Sequence, residues 1–197
     1  MNILTLINAL PGAAAQGLIW GIMAIGVYLT FRILDVADLT VDGTMCTGGA
    51  VCVMMLMSGH SVWVSMLAAT GAGMLAGLAT GIFHTFMGIP AILAGILTQL
   101  GLYSANLKIM GKANQAVNGN KFDLVSLRNV KNVPFYQNTI FIVAIFIVVL
   151  IAILYWFFGT ELGCSLRATG CNPNMSRAQG INTDVCKVLG LMISNGL

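Results

Sequence analysis

Apolar residues run along this chain in blocks of the length that crosses a bilayer as a helix, parted by short polar or glycine-bearing breaks. Met1–Leu10 is expected to lie in the interface ahead of a first span at about Gly12–Phe31. The pattern then predicts a second span at Gly43–Ser58, a third at Val62–Phe86 and a short fourth at Ala91–Asn106. Asn138–Phe158 is an uncharged run rich in Ile, Val and Phe, bracketed by Tyr136 and by Tyr155-Trp156 as interfacial aromatics would be. Val185–Leu197 starts a sixth apolar run and covers about half a span. The predicted fold class is an all-α integral membrane protein of about five complete transmembrane helices plus the start of a sixth, in a single transmembrane domain over residues 1–197.

Composition agrees with that pattern. The 197 residues are 58% hydrophobic and 8% charged, with a mean hydropathy of +0.91. So few charges cannot cover a soluble domain with so apolar a core. The formal charge of +3 is too small to argue for a nucleic-acid partner. Five cysteines follow neither a secreted-scaffold pattern nor a tight zinc spacing, so reduced thiols are expected and no metal or cofactor. Ile3–Leu10 with Ala13-Ala14-Ala15 faintly mimics a cleaved signal, but it lacks a positive start and the apolar character runs on to Phe31.

Within the spans, small residues recur every fourth position: Ala13, Gly17 and Gly21 in the first, and Gly73, Gly77 and Gly81 in the third. Such stripes let another helix backbone approach closely, so these glycines are expected to serve helix packing. Gln16 is expected to hydrogen-bond to another helix. His60 falls in a turn, and His84, near the end of the third span, reads as an interfacial hydrogen-bonding residue.

Arg32–Cys46 breaks the apolar pattern with Asp35, Asp38 and Asp42. Asp38, Thr40, Asp42 and Gly43 match the opening of a calcium loop, but the twelfth position is Gly49, where a bidentate Glu is required. Two readings remain for Asp38, Thr40, Asp42 and Gly43. Either a carboxylate caps the second span, with Arg32 in reach of Asp35, or the carboxylates line a translocation path. Capping is the stronger, because charge inside a membrane needs pairing or water. Lys108–Phe135 is a second polar segment, rich in Lys, with Asn118-Gly119 as a tight-turn signal.

The most legible stretch is the polar insert 159–187, GTELGCSLRATGCNPNMSRAQGINTDVCK. Asn172 is a good N-cap, Pro173 falls at the first helical position, and Gly180 sits where a left-handed residue ends a helix. They delimit a two-turn helix, about Pro173–Gln179. Gly170 is expected to close an earlier short helix, and Asn182 or Thr183 to cap the next, with Asp184 in its first turn. Two turns are not stable alone, so this helix must be held against something.

Gly159-Thr160, Leu162-Gly163, Leu166-Arg167-Ala168, Gly170-Cys171-Asn172-Pro173, Ala178 and Gly180-Ile181-Asn182 resemble the cytoplasmic coupling segment of ABC importer permeases of the branched-chain amino acid and ribose class. Trp20-Gly21, Tyr28–Arg32 and Asp38–Thr44 resemble a subgroup linked to aromatic amino acids. The resemblance covers essentially the whole chain. It implies a membrane-spanning subunit that forms the translocation path for a small solute, an amino acid among the candidates. Its implied partners are an ABC ATPase subunit, an extracellular or periplasmic substrate-binding protein, a second permease copy in a homodimer, and the lipid bilayer of a prokaryotic cell membrane. It also implies that the chain is a C-terminal truncation, since subunits of this class run on for several more spans. Arg167, Asn172, Pro173, Met175, Arg177, Ala178 and Gly180 would then form the ATPase-coupling site, with Met175 and Ala178 on one face and Arg177 free to meet carboxylates on the partner.

Positive-inside counting does not orient the chain: Lys108–Phe135 holds five Lys or Arg, against three in the insert plus Arg32 on the insert's side. The resemblance places the insert in the cytoplasm. No phosphate-binding GxxxxGK[ST] occurs, so ATP hydrolysis belongs to a separate subunit and no enzyme activity is expected of this chain. No HExxH or GxSxG supports an intramembrane hydrolase. The alternative of another class is an ion-coupled secondary transporter using Asp35, Asp38 and Asp42 as ligands; a purely structural membrane subunit is the third reading.

Overall fold

In the computed structural model, which describes residues 3–112, 114, 115 and 139–197, every apolar block forms a helix. α1 (Ile3–Tyr28) runs unbroken past Pro11, so the interfacial segment expected ahead of the first span is part of the same helix. It passes directly into a π-helical turn, Leu29–Ile33. An extended stretch follows, with Asp35 in the left-handed region at φ 55°, and leads to α2 (Val41–Met57). Then come α3 (Val62–Thr85), α4 (Ala91–Met110) and α5 (Thr139–Phe158). Three short elements complete the chain: α6 (Glu161–Cys171), α7 (Pro173–Ala178) and α8 (Thr183–Gly196). The hairpin expected at Asn118-Gly119 and the aromatic bracket at Tyr136 lie outside the described residues.

Among the described residues four segments are long and apolar enough to cross a membrane: Gly12–Ile33, Val62–Thr85, Ala91–Met110 and Phe141–Phe158. Of the five expected complete spans four reach that length among the described residues, and the other, α2, is a shorter apolar helix of 17 residues. α4 outruns its expected end by four residues, from Asn106 to Met110. Lys108 breaks the apolar pattern but not the helix, since a lysine in the last turn faces the negative end of the helix dipole and can extend to the interface. Gly111, at φ 65°, is the actual stop.

α3 sits at the centre, between α2 and α8, with α4 against α2 and α3. Lipid tails are as apolar as leucine, so such helices gain nothing by burying large side chains and pack through small ones instead. The described residues follow that rule: buried positions include Ala15, Ala50, Ala76 and Ala94 and many Thr and Ser, while Trp63, Leu67 and Tyr155 stand exposed. Gly73, Gly77 and Gly81 all face α8. A Cβ at Gly77 would meet the Leu191 carbonyl carbon at 2.9 Å, and one at Gly81 the Val188 Cα at 3.0 Å. The first-span stripe differs: a Cβ at Gly17 or Gly21 would meet nothing within 4 Å, so neither packs against another described helix. Gln16 beside them is exposed rather than bonded to another described residue.

Buried hydroxyls are satisfied mainly by the carbonyl one turn back, as from Thr47 to Gly43 (2.8 Å) and Thr98 to Ala94 (3.0 Å). His84 Nδ1 lies 2.9 Å from the Ile89 carbonyl and, since a carbonyl only accepts, donates to it across the turn after α3.

Candidate functional site

Two features that the sequence holds far apart meet in space: the stretch around Asp38 and the insert that carries α7. The stretch begins where α1 ends. In the π-turn the Leu34 N–H reaches back to the Leu29 carbonyl (3.2 Å) and the Val36 N–H to Thr30 (3.0 Å), which widens the last turn and releases an extended chain into the helix cluster.

Asp38 on that chain is buried, at 8% exposure. Its Oδ1 accepts the Thr40 backbone N–H (2.8 Å) and its Oδ2 accepts Asn195 Nδ2 (2.7 Å). Thr44, in the first turn of α2, donates to Asn195 Oδ1 at 3.0 Å. On the other side, Thr40 Oγ1 lies 3.0 Å from Thr80 Oγ1, which bonds Thr98 Oγ1 at 3.0 Å. Asp38, Thr40 and Thr44 are thereby joined to α3, α4 and α8 in one buried polar network. A Cβ at Gly43 would approach the Gln99 Cα to 3.2 Å, so this glycine lets α2 lie against α4.

The expected cap of α2 takes a different form. Thr40 is the N-cap residue, and its side chain makes no capping bond. Asp38 holds the Thr40 N–H from two residues earlier, just outside the helix. Asp42 is exposed in the first turn, where only the helix dipole favours it. Arg32 and Asp35 are both exposed and form no ion pair; among the described residues the ion pair found is Arg177–Asp184. The three carboxylates therefore do not converge, as ion ligands would. No group of three or more His, Cys, Asp or Glu that could hold a metal occurs among the described residues.

The insert folds as its punctuation predicts, with one change. Thr160 caps α6, its Oγ1 accepting from Gly163 N at 3.4 Å. Asn172 ends α6 through its N–H to Ala168 and starts α7 by accepting the Met175 N–H on Oδ1 (3.1 Å). Pro173 is at the first helical position, and Gly180 takes φ 84° beyond the helix. Asn182 Oδ1 accepts from both Asp184 N and Val185 N to cap α8. Gly170 does not close a helix; it lies inside α6, where a Cβ would run into the Ile33 carbonyl oxygen and lie 3.0 Å from the Leu34 Cα. Its lack of a side chain lets α6 press on the backbone just ahead of Asp38. Gly190 of α8 takes the Leu34 side chain in the same way, and Leu34, Val36, Leu166, Cys186 and Leu191 form one buried apolar cluster there.

On α7, Pro173, Met175 and Ala178 are exposed, Met175 at 59%, while Ser176 is buried beneath them. Arg167 is exposed on α6. Arg177, expected to be free for a partner, is engaged within the chain: Nε donates to Thr183 Oγ1 (2.7 Å) and Nη2 to Asp184 Oδ1 (3.0 Å). Sequence reasoning missed Asn195, Thr80 and Thr98, and reached Thr44 only as the end of the Asp38–Thr44 motif. The one signal for Asn195 was an amide beside Ser194 in a run that is otherwise apolar after Lys187.

Comparison with known proteins places this geometry in context. The family model described as branched-chain amino acid transport system / permease component matches residues 10–197. The tyrosine transport system permease protein of Clostridioides difficile (strain R20291) is 40% identical over 182 residues, 92% of this chain and 59% of that protein. An uncharacterized protein of Rickettsia prowazekii (strain Madrid E) is 33% identical over 190 residues, 96% of this chain and 65% of its own length. The galactofuranose transporter permease protein YtfT of Escherichia coli (strain K12) is 31% identical over 176 residues, 88% of this chain and 49% of that protein. The chain thus spans about three fifths of the first two relatives. No solved structure matches.

Proposed function

The chain belongs to the branched-chain amino acid transport permease family, and from that premise we propose that it is the membrane subunit of an ATP-driven ABC importer, forming part of the path by which a small solute crosses. It is a multi-pass membrane protein of a prokaryotic cell membrane. α7 is the contact for an ABC ATPase subunit, a substrate-binding protein outside delivers the solute, and a second permease copy completes the path as a homodimer. Five spans and the start of a sixth cross the bilayer, with 159–187 in the cytoplasm. The solute is an amino acid, a reading supported by the 40%-identical relative named for tyrosine.

One observation carries the proposal: the small helix that exposes Met175 is built between α6, which bears through Gly170 on the backbone leading to Asp38, and α8, which bears through Gly190 on the Leu34 side chain. A push on α7 is therefore delivered next to the buried polar network. Pre-capped by Asn172 and clamped by Arg177, α7 moves with α8 rather than fraying. Alternating access then follows as a shift of packed helices against one another.

Topology is the direct test. Cys171 is exposed at the end of α6, and Lys112 is exposed beyond the end of α4, across α5 from the insert. In intact cells a membrane-impermeant thiol reagent is expected to miss Cys171 and to label a cysteine placed at Lys112, with both labelled once the membrane is opened. Labelling of Cys171 from outside would remove the coupling role.

A further inference from the structure

We propose that Asn195 is a positioning residue that ties the far end of α8 to the start of α2, making α8 a strut between α7 and Asp38; the proposal rests on the importer reading for what moves α7. α8 is anchored at both ends. At its beginning the Arg177 guanidinium reaches from α7 to the buried Thr183 hydroxyl and to Asp184. Thr183 to Asn195 covers about 18 Å at the helical rise of about 1.5 Å per residue. Along that length α8 is wedged between Leu34 at Gly190 and α3 at Gly77, with Leu191 fully buried.

At the far end both amide groups of Asn195 are committed. One Nδ2 hydrogen goes to Asp38 Oδ2 (2.7 Å), the other to the Leu191 carbonyl (3.0 Å), and Oδ1 accepts the Thr44 hydroxyl (3.0 Å). The reversed amide would set its oxygen against a carboxylate, so the network itself fixes the orientation. The carbonyl one turn back takes only one of the two amide hydrogens, so the rest of the Asn195 amide must be satisfied from other elements. Asn195 brackets the N-terminus of α2 from both sides, Asp38 before it and Thr44 within it. Ser194 next to it donates to the Gly26 carbonyl at 2.6 Å, which brings α1 to the same point. A buried, hydrogen-bonded carboxylate without a cation beside it is held only by such donors.

Exchange of the two polar groups separates positioning from simple support. In the full-length protein assembled with its ATPase and binding protein in proteoliposomes, Asn195→Asp sets two carboxylates face to face. We expect its melting temperature to fall by several degrees and the uptake of a carbon-14 amino acid mixture per ATP hydrolysed to drop about tenfold. The exchange Asp38→Asn with Asn195→Asp restores a donor–acceptor pair between the same positions, and both quantities are expected to return close to wild type. Wild-type uptake per ATP in Asn195→Asp, whatever its melting temperature, would overturn the proposal, as would an exchange variant no better than the single. If the unaltered assembly shows no ATP-dependent uptake, the importer reading fails instead. The tie then stands on recovery of the melting temperature in the exchange and falls without it.

Discussion

Gly170→Val is expected to be among the most damaging single substitutions in the chain. The added Cβ would run into the Ile33 carbonyl oxygen and lie 2.8 Å from the Ile33 carbonyl carbon, and both are backbone atoms that no rotamer change can move aside. α6 must therefore lift from the π-turn, opening the cluster of Leu34, Val36, Leu166, Cys186 and Leu191. Overpacking of this kind costs about 1–3 kcal/mol even where side chains can yield, and the cost here is expected at or above about 3 kcal/mol. Thermal unfolding in detergent reads it. Gly101→Ala on α4 is the control: its Cβ would meet nothing within 4 Å, and alanine in a helix is expected to be neutral or to stabilise by up to about 1 kcal/mol. Equal losses from both variants would show that α6 does not bear on the π-turn.

The Asp38 series is expected to give the second large effect, and its order discriminates hydrogen bonding from charge. Asp38→Leu leaves the Thr40 N–H and an Asn195 N–H buried without acceptors, at about 1–3 kcal/mol each. Asp38→Asn keeps an acceptor for Thr40. Its NH2 can face Asn195 if that amide turns over, donating to the Thr44 oxygen while the Thr44 hydroxyl proton goes to the Val41 carbonyl, 2.9 Å away, at the loss of the Asn195 bond to the Leu191 carbonyl. The expected outcome is a loss of about 1 kcal/mol or less for Asn and about 3 kcal/mol or more for Leu, with solute uptake following stability. An asparagine variant that folds normally yet transports nothing would assign the work to the charge itself.

How far the sequence disclosed these features depended on whether their determinants are local. α7 was legible because its caps are side chains within a turn of the helix they start or stop: Asn172, Pro173 and Gly180 act on their neighbours. α5 was legible from unbroken hydropathy, and the Gly73, Gly77, Gly81 stripe from its four-residue spacing. The partner of Asp38 was not, since Asn195 lies 157 residues away and nothing near either residue specifies the other. For the same reason the sequence put Arg32 within reach of Asp35 without showing a pair, and in the fold both side chains are exposed, with Asp35 in the left-handed region. Gly170 misled because glycine near a helix end has two uses, and here close approach to another backbone outweighs termination. Family resemblance added what local reasoning did not: the expectation that the insert couples to an ATPase.

The central claim is that ATP hydrolysis in a partner subunit, its work delivered through α7, drives solute across this subunit. Its most direct test is uptake of a carbon-14 amino acid mixture into proteoliposomes that contain the full-length protein, its ATPase and its binding protein, with ATP and ion gradients varied independently. Uptake is expected only when ATP is available on the α7 side, to persist when ionophores collapse every gradient, and to vanish when the ATPase is omitted. Uptake driven by an imposed sodium or proton gradient without ATP would contradict it.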